Sequence, residues 1–179
     1  NDAAFARRRR WRGLYADLFA RFRLITAQDD ATAVNLRALG ASGVRVSGSL
    51  KAAAPPLAAD PQALAEARVR LAGRRPVLLA SSHAEDEAIV LAGFRSIKAG
   101  ALLVIAPRDP HRGAEIAAAA VASGLTVARR SAGEGPEAAD VWIVDSFGEM
   151  GLWYRLCPVS LLGGTFGPTE GHNPWEPAA

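Results

Sequence analysis

The chain of 179 residues is 50% hydrophobic, 22% charged and 7% aromatic, which fits a compact globular domain and excludes disordered and collagen-like chains. No apolar run reaches the roughly 18 to 20 residues that span a bilayer, and no signal-peptide pattern follows Asn1, so we expect a soluble or peripheral protein. The single cysteine, Cys157, excludes an internal disulfide framework and a cysteine-rich zinc site.

The positive charge is concentrated near the start of the chain. Five arginines exceed the whole net charge of +3, namely Arg7, Arg8, Arg9, Arg10 and Arg12. Such a run can bind anionic lipid, a phosphorylated substrate or nucleic acid, and Trp11 within it suits an interface. A solvated helix face is the alternative, and the charge pattern alone does not separate these readings.

The first part of the chain pairs helical and strand patterns and ends in a proline-rich segment. Apolar spacing predicts helices over 14–22 and 29–39 and strands over 24–27 and 44–46, with Gly40 as a helix stop. Residues 52–59, which contain Pro55 and Pro56, predict a linker and the best internal boundary.

Beyond the linker the pattern becomes regular. Asp60 and Pro61 predict the N-cap and the first position of a helix that runs to about residue 71. Apolar runs predict strands over 76–80, 101–105, 125–128, 141–144 and 159–162, and helices over 85–98, 110–123, 148–156 and from about 173. Continuous apolar strands separated by helices are typical of a parallel sheet covered on both faces, so we predict an α/β, doubly wound (Rossmann-like) domain.

Polar and glycine-rich clusters follow the predicted strands, at positions that meet at one edge of a parallel sheet. They are Ser82-His83, Arg108, Gly148-Glu149 and Gly164-Thr165. Glycine lets a backbone approach a phosphate, and a helix that opens at Asn173 adds a positive dipole end. Arg108 can bind a phosphate or stack on a base, and Glu149 and Glu176 can accept hydrogen bonds from sugar hydroxyls or a base amine. The combination indicates a nucleotide, although the GxGxxG and P-loop patterns are missing.

Each feature also has an explanation without a ligand. Ser82-His83 can cap a strand end, Arg108 can be a surface arginine, and Gly163-Gly164 can form a turn. The histidines lack the close spacing of metal ligands, so we expect no metal site at His83, His111 or His172.

Five segments, taken in their order along the chain, carry a more specific signal. They are Gly48-Ser49-Leu50-Lys51, Ala80-Ser81-Ser82-His83 with Glu85-Asp86-Glu87, Ala106-Pro107-Arg108 with Pro110 and Arg112, Asp145-Ser146-Phe147-Gly148-Glu149-Met150, and Gly163-Gly164-Thr165 through Gly171-His172-Asn173-Pro174-Trp175-Glu176-Pro177. This series resembles the motifs of the 3-deoxy-D-manno-octulosonic acid (Kdo) transferases of lipopolysaccharide assembly. The resemblance implies a two-domain GT-B glycosyltransferase whose first half binds a lipid A precursor and whose second, nucleotide-binding half binds the CMP of CMP-Kdo.

The resemblance implies a role for each matching position. Donor-nucleotide contacts are expected at Arg108, Gly148, Glu149, Asn173 (phosphate side) and Glu176 (ribose), with Ser82, His83, Gly164 and Thr165 around them. The implied reaction is inverting transfer of Kdo without a metal or another cofactor, and without a nucleic-acid partner. The family's general base lies in its first domain, so no catalytic residue is assigned here, and we expect the chain alone to be inactive.

The resemblance also implies a cellular place and a division of the chain. The basic run is then expected to meet an anionic membrane or the acceptor, at the cytoplasmic face of the inner membrane of a Gram-negative bacterium. Residues 1–51 are expected to be a linker and the end of an N-terminal domain with its first strands. Residues 52–59 are expected to form the connection, and residues 60–179 the donor-nucleotide-binding domain, which we expect to be truncated at its C-terminus.

Three positions depart from the family pattern, and two other functions stay open. The departures are Glu85, Asp109 and Glu170, of which Asp109 places a negative charge beside Arg108. The chain could instead come from a GT-B enzyme that uses a UDP-sugar. It could also be a non-catalytic module that binds a nucleotide or a protein.

Overall fold

The computed structural model describes residues 2–97, 100–167 and 171–178, and the chain forms two compact units, Asn1–Ala54 and Pro55–Ala179. The first unit contains helices α1 (Asp2–Arg9), α2 (Arg12–Phe19) and α3 (Asp30–Ala38), strands β1 (Ile25–Ala27) and β2 (Val44–Val46), and a 3-10 turn at Leu50–Ala53. Within the described ranges, the helices are all too short or too polar to cross a membrane.

A small core of short side chains holds the first unit together. Strands β1 and β2 pair in parallel, with Ile25 opposite Val44. The buried core residues are Ala27, Ala33, Ala41 and Val44. The predicted start of α3 is confirmed, because Oδ1 of Asp29 accepts a hydrogen bond from the Thr32 amide at 2.6 Å.

The second unit is a five-stranded sheet with helices on both faces. Its helices are α4 (Pro61–Leu71), α5 (Ala84–Ile97), α6 (Gly113–Ala122), α7 (Met150–Leu156) and α8 (Trp175–Ala178), and its strands are β3 (Arg75–Ser82), β4 (Ala101–Pro107), β5 (Val127–Arg129), β6 (Val141–Ile143) and β7 (Val159–Leu162). The strand order is β5-β6-β4-β3-β7, and every neighbouring pair is parallel. The predicted doubly wound α/β architecture is therefore confirmed.

Each face of this sheet carries its own apolar layer. Helices α4 and α7 cover one face, where the rings of Trp142 and Trp153 meet edge to face with centroids 5.0 Å apart. Helices α5 and α6 cover the other face through residues such as Leu91 and Ile116. Since both faces are covered, the strands read as continuous apolar runs rather than as alternating ones.

Two predicted helices begin later than the apolar pattern indicates. The helix expected over 110–123 opens with a 3-10 turn at Pro110–Arg112, because the Asp109 carboxylate accepts a hydrogen bond from the His111 amide at 3.1 Å. The helix expected from residue 148 begins at Met150, since Gly148 has a φ of 82°, in the left-handed region that ends regular geometry.

Other predicted boundaries hold or shift by a few residues. Asp60 caps α4 through the Gln62 amide at 2.9 Å, as predicted. The strand predicted over 125–128 is observed as β5 at Val127–Arg129, because the Leu125 amide donates to the Ala120 carbonyl and closes the end of α6 instead. The helix predicted to end at residue 98 is described to Ile97, and Lys98 lies outside the described residues.

Candidate functional site

The loops that follow the parallel strands meet at the carboxyl edge of the five-stranded sheet. In the order β5-β6-β4-β3-β7 the strand order reverses between β3 and β7, and ligands bind at such a switch point in parallel sheets. Ser82 ends β3 and Gly164 follows β7, so these two predicted residues flank the switch point. Arg108 follows the neighbouring strand β4, whereas Gly148 and Glu149 follow β6, one strand further out. The structure thus places these three predicted residues at the same edge of the sheet, after two adjacent strands.

Arg108 presents a positive charge at this edge. Its side chain is exposed and has no hydrogen-bond or ion-pair partner among the residues that the structure describes. Its amide donates to the Ser82 carbonyl at 3.0 Å, which fixes the backbone beside β3. The carboxylate of Asp109 accepts the capping hydrogen bond from the His111 amide. The rings of His111 and Phe147 lie with centroids 6.3 Å apart and so link the loops after β4 and β6. A guanidinium in this position can bind an anion.

The loop after β6 is held by residues that sequence reasoning missed. Arg129, the last residue of β5, donates to Oδ2 of Asp145 from Nε at 3.1 Å and from Nη2 at 2.7 Å. Ser131 donates its amide to Oδ1 at 3.0 Å and its hydroxyl to Oδ2 at 2.7 Å. Burial raises the pKa of Asp145, but the hydrogen bonds from Ser131 and Arg129 outweigh burial and hold the pKa below its ordinary value. Asp145 is therefore an ionised anchor for this loop.

Arg130 holds Glu149 in a similar way. Its Nε donates to Oε2 at 2.7 Å and its Nη2 to Oε1 at 2.6 Å, and the Ser146 hydroxyl also donates to Oε2. The guanidinium carbon lies 5.9 Å from the ring centroid of Trp142 and 5.2 Å from that of Trp153. The hydrogen bond from Arg130 lowers the pKa of Glu149 against the opposing effect of burial. Glu149 is thus a charged group with a fixed orientation.

Asp86 joins the loop after β7 to the end of β3. Its side chain is fully buried, and Oδ2 accepts hydrogen bonds from the amides of Gly164 at 2.7 Å and His83 at 3.0 Å. Oδ1 accepts a third hydrogen bond from the Phe166 amide at 3.1 Å. Burial raises the pKa of Asp86, yet these three backbone donors outweigh burial and lower it. The predicted position Gly164 is therefore fixed by a residue that the sequence motif contains but that we did not assign to the site.

Other predicted residues of this edge have internal partners. The Thr165 hydroxyl donates to the carbonyl at the end of β7 at 2.6 Å, and the buried Ser82 hydroxyl donates to Oε1 of Glu87 at 2.7 Å. A Cβ added to Gly163 would overlap the Ser81 carbonyl, so packing requires glycine there. In this structure these positions shape the edge of the site, with their polar groups satisfied internally.

Two histidines meet although 89 positions separate them in the sequence. Nε2 of His83 lies 2.9 Å from Nε2 of His172, and the rings stack with centroids 5.1 Å apart. In the part of the chain that the structure describes, no third histidine, cysteine or acidic residue joins them to form a metal-binding group. Next to this pair, Oδ1 of Asn173 accepts a hydrogen bond from the Trp175 amide at 3.3 Å. Asn173 therefore caps α8, which begins two residues later than predicted, and Glu170 lies outside the described residues.

Glu176 lies beside helix α7. It lines a cavity of about 160 Å³ together with Gly151 and Tyr154 of that helix. Burial, with a smaller contribution from the charge of Glu176, raises the pKa of Tyr154 to about 12. Arg155 donates to the Leu57 carbonyl at 2.6 Å and ties the linker to the rim of the cavity.

The basic run belongs to the first unit. Arg7, Arg8 and Arg9 lie in the last turn of α1, and the side chains of all five arginines, including Arg10 and Arg12, are exposed. The side chain of Trp11 is 64% exposed. Charge and an aromatic ring therefore share one solvent-facing segment.

The doubly wound parallel sheet, with polar residues gathered at its carboxyl edge, defines a class: the second unit is the nucleotide-binding half of a GT-B glycosyltransferase fold. A family model described as 3-deoxy-D-manno-octulosonic-acid transferase (kdotransferase) matches residues 1–54. The chain has a solved neighbour, the C-terminal CMP-Kdo binding domain of WaaA from Acinetobacter baumannii. That structure is 31% identical with a TM-score of 0.56, over 65% of this chain and 64% of the other. The chain is therefore similar to Kdo transferases over most of its length.

Curated relatives match along most of the chain. The 3-deoxy-D-manno-octulosonic acid transferase of Rickettsia bellii is 29% identical over 99% of this chain and 43% of its own length. The enzyme of the same name from Bordetella pertussis is 33% identical over 87% of this chain and 38% of its own length. The chain thus spans less than half the length of these relatives.

Proposed function

We propose that the second unit binds CMP-Kdo and that the protein transfers Kdo from this donor to a lipid A precursor in lipopolysaccharide assembly. One observation carries the proposal: Arg108 and the Gly148-Glu149 pair lie at the carboxyl edge of the sheet, after adjacent strands, in a chain similar to a CMP-Kdo binding domain. In the proposed complex Arg108 neutralises the phosphate of the donor, and Glu176, as the family resemblance implies, accepts hydrogen bonds from the ribose hydroxyls.

The proposed chemistry is an inverting displacement. A hydroxyl oxygen of the acceptor sugar forms a bond to the anomeric carbon of Kdo while the bond from that carbon to the CMP phosphate breaks. The electron pair leaves with CMP, and a general base takes the hydroxyl proton. Positive charge at the phosphate stabilises the leaving group as negative charge develops on it. We assign the general base to none of the described residues, and we therefore expect these 179 residues alone to bind the donor without turnover.

We further propose that the basic run places the protein at an anionic membrane, on the cytoplasmic side where a lipid A precursor is available. The five exposed arginines and Trp11 support this role, because arginine is attracted to anionic headgroups and tryptophan favours the membrane interface.

The test of the donor site is Glu176→Gln, with CMP binding measured by isothermal titration calorimetry. Gln keeps the shape of the side chain but removes the charge, so CMP affinity should fall by about 1.5 to 3 kcal/mol. The control is Glu115→Gln, which changes an exposed glutamate on α6 that pairs with Arg112, and should leave CMP affinity unchanged. Equal CMP affinity in wild type and Glu176→Gln would contradict the assigned ribose contact.

A further inference from the structure

Arg130 opens the 3-10 turn (Arg130–Ala132) that follows the edge strand β5, and both of its side-chain hydrogen bonds reach Glu149 in the loop after β6. Both nitrogens on one edge of its guanidinium bind Glu149, whose side chain is 25% exposed, while the Arg130 side chain is 26% exposed. The rings of Trp142 and Trp153 also pack against the Arg130 guanidinium and shield it from solvent. This is a partly buried, two-bond ion pair with a fixed geometry.

The pair differs from the ordinary surface ion pairs of the same unit. Arg70 and Glu137 join through one hydrogen bond of 2.8 Å, and their side chains are 38% and 56% exposed. Exposed pairs of that kind contribute little to folding stability, because solvent screens the two charges and both side chains lose rotamer freedom. The pair of Arg130 and Glu149 has two parallel bonds and aromatic packing, which orient the carboxylate as well as neutralise it.

This ion pair restrains the loop after β6, which carries Gly148 and Glu149. A carboxylate has about four lone-pair positions, and Arg130 and the Ser146 hydroxyl together use three of them on Glu149. The Glu149 side chain is therefore held in one orientation, directly after Gly148, whose φ of 82° forms the turn before α7. A positional error of about 1 Å in such a loop is enough to weaken a ligand contact.

We infer that Arg130 is a positioning residue for the donor nucleotide, and that it acts through Glu149 without touching the ligand. This rests on the proposed function, because it takes the carboxyl edge of the sheet as the nucleotide site. Arg130 holds the Glu149 end of this loop in the conformation that binds the donor, and its loss frees that end, while Arg129 and Ser131 still hold Asp145.

The test is a double-mutant cycle on CMP binding, measured by calorimetry with the 179-residue chain. The variants are Arg130→Met, Glu149→Gln and the two together, with Arg70→Met as the matched control. If Arg130 acts through Glu149, each single change weakens CMP binding about five- to tenfold, and the double variant is no more than about twofold weaker than either single variant. Arg130→Lys, which keeps the charge but loses the two-bond geometry, should lie between wild type and Arg130→Met. Arg70→Met should bind CMP as wild type does.

Each outcome of this cycle either supports or contradicts the positioning role of Arg130. Losses that multiply in the double variant would show that Arg130 contacts the nucleotide directly and would overturn the inference. Equal CMP affinity in wild type and Arg130→Met would do the same, whatever the change in unfolding temperature. If Arg130→Met does not fold, Arg130→Lys with and without Glu149→Gln gives the same cycle. A wild-type chain that binds no CMP would instead refute the proposed function, so the two failures are distinguishable.

Discussion

Replacing Asp86 with asparagine should destabilise the second unit and loosen the loop after β7. The buried carboxylate accepts three backbone hydrogen bonds, from the amides of Gly164, His83 and Phe166. Asparagine offers one oxygen, and its NH2 group must then face an amide that is itself a donor. In its best orientation the asparagine oxygen keeps the bonds to Gly164 and His83 without the carboxylate charge, and the bond to Phe166 is lost.

The structure sets the size of this effect. A hydrogen bond to a charged group contributes about 1.5 to 3 kcal/mol, and a buried donor without a partner costs about 1 to 3 kcal/mol. One lost bond and two weakened ones should therefore lower the free energy of unfolding by about 2 to 4 kcal/mol. Because Gly164 and Thr165 belong to the same loop, CMP binding should weaken in the same variant.

The assay is urea unfolding of wild type and Asp86→Asn at pH 7, followed by the fluorescence of the buried tryptophans. The control is Asp109→Asn, which alters an exposed carboxylate with one capping hydrogen bond and should change stability much less. Since the pKa of Asp86 is lowered on folding, its contribution is complete above the pKa of the unfolded chain and is lost as the pH falls through the folded value. The difference between wild type and Asp86→Asn should thus shrink as the pH is lowered from 5 towards 2. A difference below about 1 kcal/mol at pH 7, or one that grows in acid, would refute the role of Asp86 as the hydrogen-bonding centre of this loop.

Three further predictions concern other parts of the molecule. Gly113→Ala places a Cβ against the Asp145 carboxylate and should lower the free energy of unfolding by about 1 to 3 kcal/mol in a denaturant titration, whereas Gly93→Ala, where the added Cβ meets open space, should not destabilise the fold. Arg108→Ala should weaken CMP binding about tenfold in low salt. The ratio of the variant's Kd to that of wild type should fall as salt is raised, because salt screens the attraction between the guanidinium and the phosphate. A Kd ratio independent of salt would indicate that Arg108 stacks on the base instead. Replacement of the five arginines between residues 7 and 12 with glutamine should reduce binding to phosphatidylglycerol vesicles in low salt without changing CMP affinity. Equal vesicle binding by the two proteins would indicate that the basic run is only a solvated helix face.

The architecture was predictable because it depends on local periodicity. Continuous apolar runs and N-caps such as Asp29 and Asp60 placed the elements of the sheet to within a few residues. The same pattern predicted that Arg108 and Glu149 follow parallel strands, and this alone puts them at one edge of the sheet. Boundaries shifted where a single side chain or glycine overrode periodicity, as at Asp109 and Gly148.

The polar network of the site was not predictable in the same way, because its partners are far apart in the sequence. Arg130 reaches Glu149 across 19 positions, and Asp86 reaches Gly164 across 78. Any arginine after a strand could be a surface residue, and nothing local marks Arg130 as a partner for one particular glutamate. The meeting of His83 with another histidine has the same origin, since it depends on the neighbouring places of β3 and β7 in the sheet.

The most direct measurement of the central claim compares the binding of CMP and UMP to the wild-type chain by calorimetry, with thermal unfolding as a second readout. A nucleotide that binds only the folded state raises its stability, by about 2.7 kcal/mol at a concentration 100 times the Kd. We predict that CMP binds and raises the unfolding temperature, and that UMP binds at least about tenfold more weakly, because a site built for the cytosine amine leaves a buried partner unpaired when uracil replaces it. Equal binding of the two nucleotides, tighter binding of UMP, or no binding of either would contradict the assignment of this edge of the sheet to a CMP-linked donor.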